Sequence, residues 1–368
     1  MSIDADFPRH LERIQDFLRL ESVSADDGDL RDTAAAVCEL IEAAGGRAEV
    51  AEPGERRPTI IGVIDGPPPT VLRYGMYDVQ PPGPGWTRDP FAAEIDDGRM
   101  YARGAANSKA ALAAGLLAFA SQPSPCRQVL LMEGEEELGS PRLAALCAAR
   151  RDELRADWAL DFDLVEEADG SAPLVAGCRG LHELELRAGG GRDVHSSVAG
   201  SVPAPAADLA RAIVALHDAV PDANVTWMVA GTPEDTSRTV VPGRARAGID
   251  LRFEDGGDEL LERVRAALPR SVELVVKGTY PAARSPLDAP PVQALAAAMS
   301  AHGVTPLVRP QAPWWGPYHV FGAPFACGGA GRADGAHGPD EWCEVEGILR
   351  LMHVVHDAIA GLAAAEPA

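Results

Sequence analysis

The segment LMEGEEELGS, residues 131–140, places the strongest constraint on how this chain folds. The run that leads into it, residues 128–132, is mostly apolar and typical of a buried strand. It is followed by four glutamates, Glu133, Glu135, Glu136 and Glu137. Neighbouring carboxylates repel one another unless a metal ion, a Lys or Arg, or water offsets their charge. The segment therefore predicts either a solvated acidic turn or an active site, because α/β enzymes bind ligands at the C-terminal ends of strands.

Composition excludes several classes of protein. The chain has 368 residues, enough for two domains or for one domain with a large insertion, and 46% of them are hydrophobic. Its net charge of −22 argues against binding to nucleic acid or to an anionic membrane, because both would repel it.

Targeting signals and cysteine patterns indicate a soluble cytoplasmic protein. The first ten residues are acidic and lack the apolar core of a signal peptide, and no apolar run approaches the roughly 20 residues that span a membrane. The six cysteines are scattered without a CxxC pair, so the sequence predicts reduced thiols and neither a zinc ribbon nor a disulfide framework.

The order of predicted elements indicates an α/β protein with an insertion. Strands and helices alternate up to about residue 176, which is typical of a mostly parallel sheet. A strictly alternating strand at 181–188 then opens a β-α-β-β-α-β order, the pattern of a ferredoxin-like unit. We therefore expect a catalytic domain formed by residues 1–176 and 285–368, interrupted by an inserted lid at 177–284.

Several motifs in this order resemble one enzyme family. They are GMYDVQP, WTRDPFAAEIDDGRMYARGAANSK, EGEEELGS, ADWALDFD, RDVHSS, SRTVVPGRARAGIDLRF and GAHGPDEW. Together they resemble the co-catalytic zinc metallopeptidase family of aminoacylase, carnosine dipeptidase, carboxypeptidase G and succinyl-diaminopimelate desuccinylase. The match covers nearly the whole chain, and the resemblance implies the same two-domain fold.

The resemblance also implies roles for residues in the motifs. Glu136 matches the general base, and Asp78 matches the residue that orients a metal-binding histidine. The matching metal ligands are Glu137, Asp163 and His337. In the inserted lid, His195 matches a histidine that completes the neighbouring subunit's active site, which implies a homodimer through the lid. Arg238 lies where a lid residue contacts substrate.

Two metal-ligand positions depart from the family pattern. Met76 stands where the family has a histidine, and Asn107 stands where it has the carboxylate that bridges both metals. A thioether is a poor zinc ligand beside oxygen donors, and a neutral amide neutralises no charge. The sequence therefore predicts no metal or one zinc, with Asn107 as a weak third ligand beside Glu137 and His337.

The loop before the last motif also departs from the family. Residues 309–322, RPQAPWWGPYHVFG, keep Arg309 but place Trp314 and Trp315 where the family has small residues. This difference indicates either local packing or a more aromatic substrate pocket.

The resemblance and its departures leave three functional hypotheses open. The first is an amide-processing enzyme, hydrolytic or otherwise, that acts on a small amino-acid-derived substrate with Glu136 as general acid/base. In this hypothesis His195 is an oxyanion donor or proton carrier. The second is a non-catalytic binding or regulatory homologue, and the third is an ordinary dinuclear zinc dipeptidase.

Overall fold

The computed structural model describes residues 2–25, 27–231 and 239–365. The chain divides into two compact units. The first runs to Gly177, resumes over Arg284–Ala312 and continues from Pro317, and the second contains Cys178–Ala283 and Pro313–Gly316. The short segment 313–316 thus groups with the second unit, whereas the sequence-based boundary assigned it to the catalytic domain.

The helices of the described chain follow the predicted periodicity. Their bounds are α1 Ile3–Arg19, α2 Arg31–Ala43, α3 Lys109–Leu117, α4 Leu143–Ala149, α5 Pro205–Ala219, α6 Gly257–Ala267, α7 Pro290–Ala301 and α8 Val345–Ala363. Helix α3 is buried along its whole length, because its Ala and Leu residues offer no polar face to water. Short 3-10 turns form at Glu136–Leu138, Ser196–Ser201 and Pro317–Val320.

An eight-stranded sheet forms the centre of the first unit. Its strands, in spatial order, are β1 Arg47–Val50, β2 Ile60–Ile64, β6 Arg127–Glu133, β3 Thr70–Met76, β7 Trp158–Asp163, β18 Phe325–Gly329, β8 Ser171–Val175 and β17 Thr305–Arg309. Strand β3 runs parallel to β6 and β7, and β7 runs parallel to β18. The prediction of a mostly parallel central sheet is confirmed. Strand β8 was not predicted, and Pro173 within it explains why its sequence pattern is weak.

A smaller four-stranded sheet also belongs to the first unit. It contains β19 Ala333–Asp334, β20 Trp342–Glu344, β5 Arg99–Tyr101 and β4 Glu94–Asp96, in that spatial order. It joins the hairpin of β4 and β5 to the C-terminal segment that carries His337, since β20 pairs with β5.

The second unit has the predicted ferredoxin-like order. An antiparallel sheet of β12 Asn224–Ala230, β14 Arg244–Phe253, β10 Gly180–Gly189 and β15 Val272–Tyr280 packs on α5 and α6. The inner face buries the apolar alternates of β10 and β14, among them Leu184, Leu186, Ala247 and Ile249. The remaining short strands of the described chain are β9 Gly177–Cys178, β11 Val194–His195, β13 Val240–Val241 and β16 Ala283–Arg284. In the described part of the chain, no helix is long and apolar enough to cross a membrane.

Candidate active site

The ends of three neighbouring parallel strands bring the predicted site residues together. Met76 is opposite Glu133 in the register of β3 and β6, and β7 ends at Asp163. Because parallel strands end at the same edge of a sheet, these side chains share one edge of the first unit. The prediction that the glutamate cluster follows a buried strand is confirmed, since β6 ends at Glu133.

Asp78 holds the turn that carries the glutamate pair. Its Oδ1 accepts from the backbone N–H of Glu136 and its Oδ2 from that of Glu137, both at 3.1 Å. Burial raises the pKa of Asp78 to about 7. The resemblance implied that this aspartate orients a histidine, but Met76 has no ring, and Asp78 instead accepts from the backbone groups of the turn.

Three predicted ligand residues bond one another directly. Asn107 Nδ2 lies 3.0 Å from Glu137 Oε1 and 2.8 Å from His337 Nε2, and His337 Nε2 lies 3.1 Å from Glu137 Oε1. The hydrogen bond to Glu137 raises the pKa of His337 above its ordinary value. The side chains that the sequence assigned to one metal are therefore joined as a hydrogen-bonded trio.

Ser108 joins this trio to the remaining predicted ligand. Its Oγ lies 2.7 Å from Asp163 Oδ1 and 3.0 Å from Asn107 Oδ1. A hydroxyl has one proton to donate, and the shorter contact goes to the carboxyl group. Sequence reasoning missed Ser108, although it directly follows Asn107 in the motif.

Glu133 is buried and Glu136 is half-buried, and neither has a cationic partner among the described ion pairs. Burial raises the pKa of Glu136 well above its ordinary value, and repulsion from Glu137 and Asp78 adds to the effect. Burial also raises the pKa of Glu133 to about 8, while Tyr74 and Ser140 donate to its Oε2 at 2.8 and 3.0 Å. Burial is the largest cause of both upward pKa shifts, and repulsion from neighbouring carboxylates adds to it.

The nearby cations have other partners. Arg57 and Arg142 both bind Glu135, at 3.0 and 2.7 Å. Lys109 donates to the carbonyl of Leu20 at 2.6 Å and lies 4.8 Å from the ring centroid of Phe17, and burial lowers its pKa to about 7. Because of these contacts, Lys109 does not offset the charge of the carboxyl groups whose pKa values are raised.

A buried ion pair fixes the loop that carries Asn107. Arg103 Nη1 binds Glu341 Oε2 at 2.5 Å, and both side chains are at most 1% exposed. The other oxygen of Glu341 accepts from the backbone N–H groups of Ala106 and Asn107 at 2.8 and 2.9 Å. Glu341, near the C-terminal end of the chain, and Arg103 thus hold the backbone of Asn107 in place.

A second buried cluster lies beside Asp163 and was not predicted. Asp161 and Cys327 are opposite each other in the register of β7 and β18. The potential ligand atoms of Asp161, Asp163 and Cys327 all lie within 4.8 Å of one another, and the Tyr318 hydroxyl donates to Asp161 Oδ2 at 2.9 Å. Burial raises the pKa of the Asp161 carboxyl and of the Cys327 thiol. The sequence analysis did not connect these residues because they are 166 positions apart.

The other predicted site residues lie elsewhere in the chain. Arg309 ends β17 and is exposed. Trp314, which is 42% exposed, belongs to the second unit, as does the exposed His195. Trp315 also belongs to it, and its ring centroid lies 4.8 Å from that of Tyr280 with the two rings tilted by 57°. Arg238 lies outside the described residues.

Comparison with known proteins identifies the family. The model of peptidase family M20/M25/M40 matches residues 73–361. This chain belongs to that family. It is 33% identical over 214 residues to succinyl-diaminopimelate desuccinylase from Acidiphilium cryptum, which is 53% of this chain and 56% of the relative. The matched stretch thus spans just over half of that curated relative.

Solved structures share the fold over almost the full chain. An M20 family metallo-carboxypeptidase from Sulfolobus solfataricus superposes with a TM-score of 0.87 at 24% identity, covering 97% of this chain and 99% of the other. Human carnosine dipeptidase 1 gives a TM-score of 0.80 at 17% identity, covering 99% and 98%. At these identities the likeness shows the fold alone, and the fold class predicted from sequence is confirmed.

Proposed function

We propose that this chain is an amide-processing enzyme that acts on a small amino-acid-derived substrate with Glu136 as general acid/base. The observation that carries the proposal is the Asp78 clamp, in which Asp78 accepts from the N–H groups of Glu136 and Glu137 and so holds the backbone that carries Glu136. A carboxyl group with a raised pKa keeps its proton to a higher pH than a free glutamate and can deliver that proton to a leaving group.

The expected pair of zinc ions does not fit the residues present. Each zinc of a pair needs about three protein donors, and Asn107 would have to replace a bridging carboxylate with one amide oxygen. That oxygen lies 3.0 Å from Ser108, and the thioether of Met76 is a poor donor beside carboxylates. We therefore assign the chemistry to groups of this chain and expect no metal or one zinc.

The proposed roles follow from the protons that the site can hold. Glu136 takes a proton from water or from a substrate amine and delivers it to the leaving nitrogen. His195 is the proposed oxyanion donor or proton carrier: Ser197 N–H donates to its Nδ1 at 3.2 Å, so the proton of the neutral ring is on Nε2. A water nucleophile gives hydrolysis, whereas an amine of the same or a second substrate gives cyclisation or acyl transfer.

We also propose that the second unit forms a homodimer. Strand β12 lies at the edge of its sheet and exposes Val225, Trp227 and Met228, which are 44%, 45% and 63% exposed. An exposed apolar edge strand favours pairing with another chain. The same pairing would let His195 serve the neighbouring subunit, as the family resemblance implies.

Turnover of a substrate panel tests the proposed function. The panel contains N-acyl amino acids, among them N-succinyl-diaminopimelate, and dipeptides such as β-alanyl-histidine, because the relatives are named for such substrates. Each is assayed with and without added zinc, and products are followed by mass spectrometry so that ring closure is also detected. Release or rearrangement of an amide in at least one case supports the proposal. A folded protein that binds panel members without converting any of them would favour the binding homologue.

A further inference from the structure

The buried cluster of Asp161, Asp163 and Cys327 has the composition of a metal site. Strands β7 and β18 are parallel, and their register places Cys327 beside Asp161. Asp163, two residues further along β7, projects to the same face because side chains alternate along a strand. The two carboxyl groups and the thiol offer ligand atoms within 4.8 Å of one another.

We propose that this cluster binds one divalent metal ion of intermediate softness, with Zn²⁺ as the preferred ion. Zinc accepts both carboxylate oxygen and thiolate sulfur at 2.0–2.3 Å, so the three ligand atoms need only small side-chain adjustments to surround it. A thiolate ligand selects against Mg²⁺ and Ca²⁺, which prefer oxygen. Coordination requires the thiol and the carboxyl groups in their deprotonated forms, so binding releases any protons that they carry.

Two features independent of the ligand atoms support the site. Tyr318 donates to Asp161 Oδ2 and Ser108 to Asp163 Oδ1, so a hydroxyl orients each carboxyl group. The carboxyl group of Asp161 also accepts from the backbone N–H of Phe162 and from the thiol of Cys327. In addition, none of the ion pairs among the described residues involves Asp161 or Asp163. The buried Arg73 lies near enough for the charge of Asp161 to raise its pKa against the effect of burial, but it forms no ion pair with the cluster among the described residues.

The proposed site differs from the one that the sequence analysis expected. It shares Asp163 with the expected set but needs neither Met76 nor Asn107. It also does not need the trio of Asn107, Glu137 and His337, which can keep its hydrogen bonds. The inference does not rest on the proposed function, since it concerns binding of a metal and not turnover.

Cobalt substitution tests the site in the full-length protein. Metal is removed with a chelator, Co²⁺ is added, and the near-ultraviolet absorption is recorded, because a thiolate–cobalt bond gives an intense charge-transfer band there and Glu or His ligands do not. We expect one cobalt per chain with this band. Cys327→Ser should abolish the band, while Cys147→Ser, which removes another buried thiol, should retain it.

A second variant keeps the test decisive if Cys327→Ser does not fold. Asp161→Asn preserves the size of the side chain and should lower cobalt affinity at least tenfold, with circular dichroism unchanged. Absence of the band in the wild-type protein overturns the proposal, as does a band that survives Cys327→Ser or an affinity unaffected by Asp161→Asn. Each readout is independent of substrate, so its failure is distinguishable from failure of the proposed function.

Discussion

Glu133 in the first unit and Glu185 in the second both have little exposed surface, but Glu133 lies deep in the protein whereas Glu185 lies beneath half-exposed basic side chains. Their exposed fractions are 2% and 4%. Glu185 lies within 2.8 Å of Arg187, 3.4 Å of Arg246 and 4.0 Å of Lys277, and its pKa is lowered chiefly by the hydrogen bond from Arg187. Glu133 has only hydroxyl partners, and burial raises its pKa to about 8.

The difference shows in which unit carboxyl groups with little exposed surface lack a positively charged partner. Arginines are available close to the glutamate cluster, yet Arg57 and Arg142 both bind Glu135 and leave Glu133 and Glu136 unpaired. Perturbed acids concentrated at strand ends are typical of functional sites, whereas paired carboxylates such as Glu185 are typical of structural ones. The comparison therefore separates a stabilising charge network in the second unit from a proton-holding cluster in the first.

The largest expected effect is on catalysis. Glu136→Gln should lower turnover of the best panel substrate by roughly 100-fold or more, because positioned acid/base catalysis contributes about that much. Glu135→Gln is the matched control: it removes a neighbouring but ion-paired carboxylate, and turnover should change by less than about tenfold. Steady-state kinetics at saturating substrate measure both. Unchanged turnover in a folded Glu136→Gln protein would remove Glu136 from the mechanism.

The next prediction concerns stability against pH. The folded-state pKa of Glu133 is raised to about 8 from an unfolded value near 4.5, so the native state binds the extra proton between these pH values. Its contribution to the free energy of unfolding is present below about pH 4.5 and is lost as pH rises through 8. The Glu133→Gln protein should not lose stability in this way. Its free energy of unfolding should therefore exceed that of wild type by roughly 2 kcal/mol between pH 5 and 8.

Glu185→Gln should show the opposite sign. The pKa of Glu185 is lowered, so its stabilisation is present above the unfolded pKa and is lost as pH falls through the lower folded value. The variant should be less stable than wild type at pH 7, and the difference should vanish in acid. Urea unfolding at several pH values tests both variants. Parallel pH profiles for the two would contradict the comparison.

Restoring the two metal ligands that the family has at positions 76 and 107 should allow a second zinc ion to bind. Wild type should purify with at most one zinc per chain, and the double change Met76→His with Asn107→Asp should raise the content to about two. The added imidazole and carboxylate complete two ligand sets with Glu137, Asp163 and His337. Inductively coupled plasma analysis measures both proteins. Two zinc ions in wild type would instead favour an ordinary dinuclear hydrolase.

The smallest predicted change is in assembly. Light scattering at micromolar concentration should give the mass of a dimer for wild type. Met228→Glu, on the exposed edge strand of the second unit, should shift the protein toward monomer because it places a charge among apolar contacts. Val214→Glu, an exposed residue of α5, is the control for surface charge alone. A wild-type monomer would contradict the proposed dimer.

Local patterns were enough to predict most elements but not the chemistry of the site. Helix α8 at Val345–Ala363 carries apolar residues at helical spacing, a pattern that the sequence shows directly. Asp161 and Cys327 could not be connected from sequence, since only the pairing of β7 with β18 makes them neighbours. The hydrogen bonds of Asp78 could not be predicted from sequence either, because its partners are backbone N–H groups, which no pattern of side chains reveals.

The pair of Arg103 and Glu341 has a consequence for the order of events during synthesis. Asn107 is held by a carboxylate that lies 234 positions later in the chain. A nascent chain that has emerged only as far as the glutamate cluster therefore contains Asp78, Glu136 and Glu137 but lacks the group that fixes the loop of Asn107. Strand β18, the neighbour of β7, also emerges only after the second unit. The site is thus assembled last, and a truncated product would expose unshielded acids without forming the cluster.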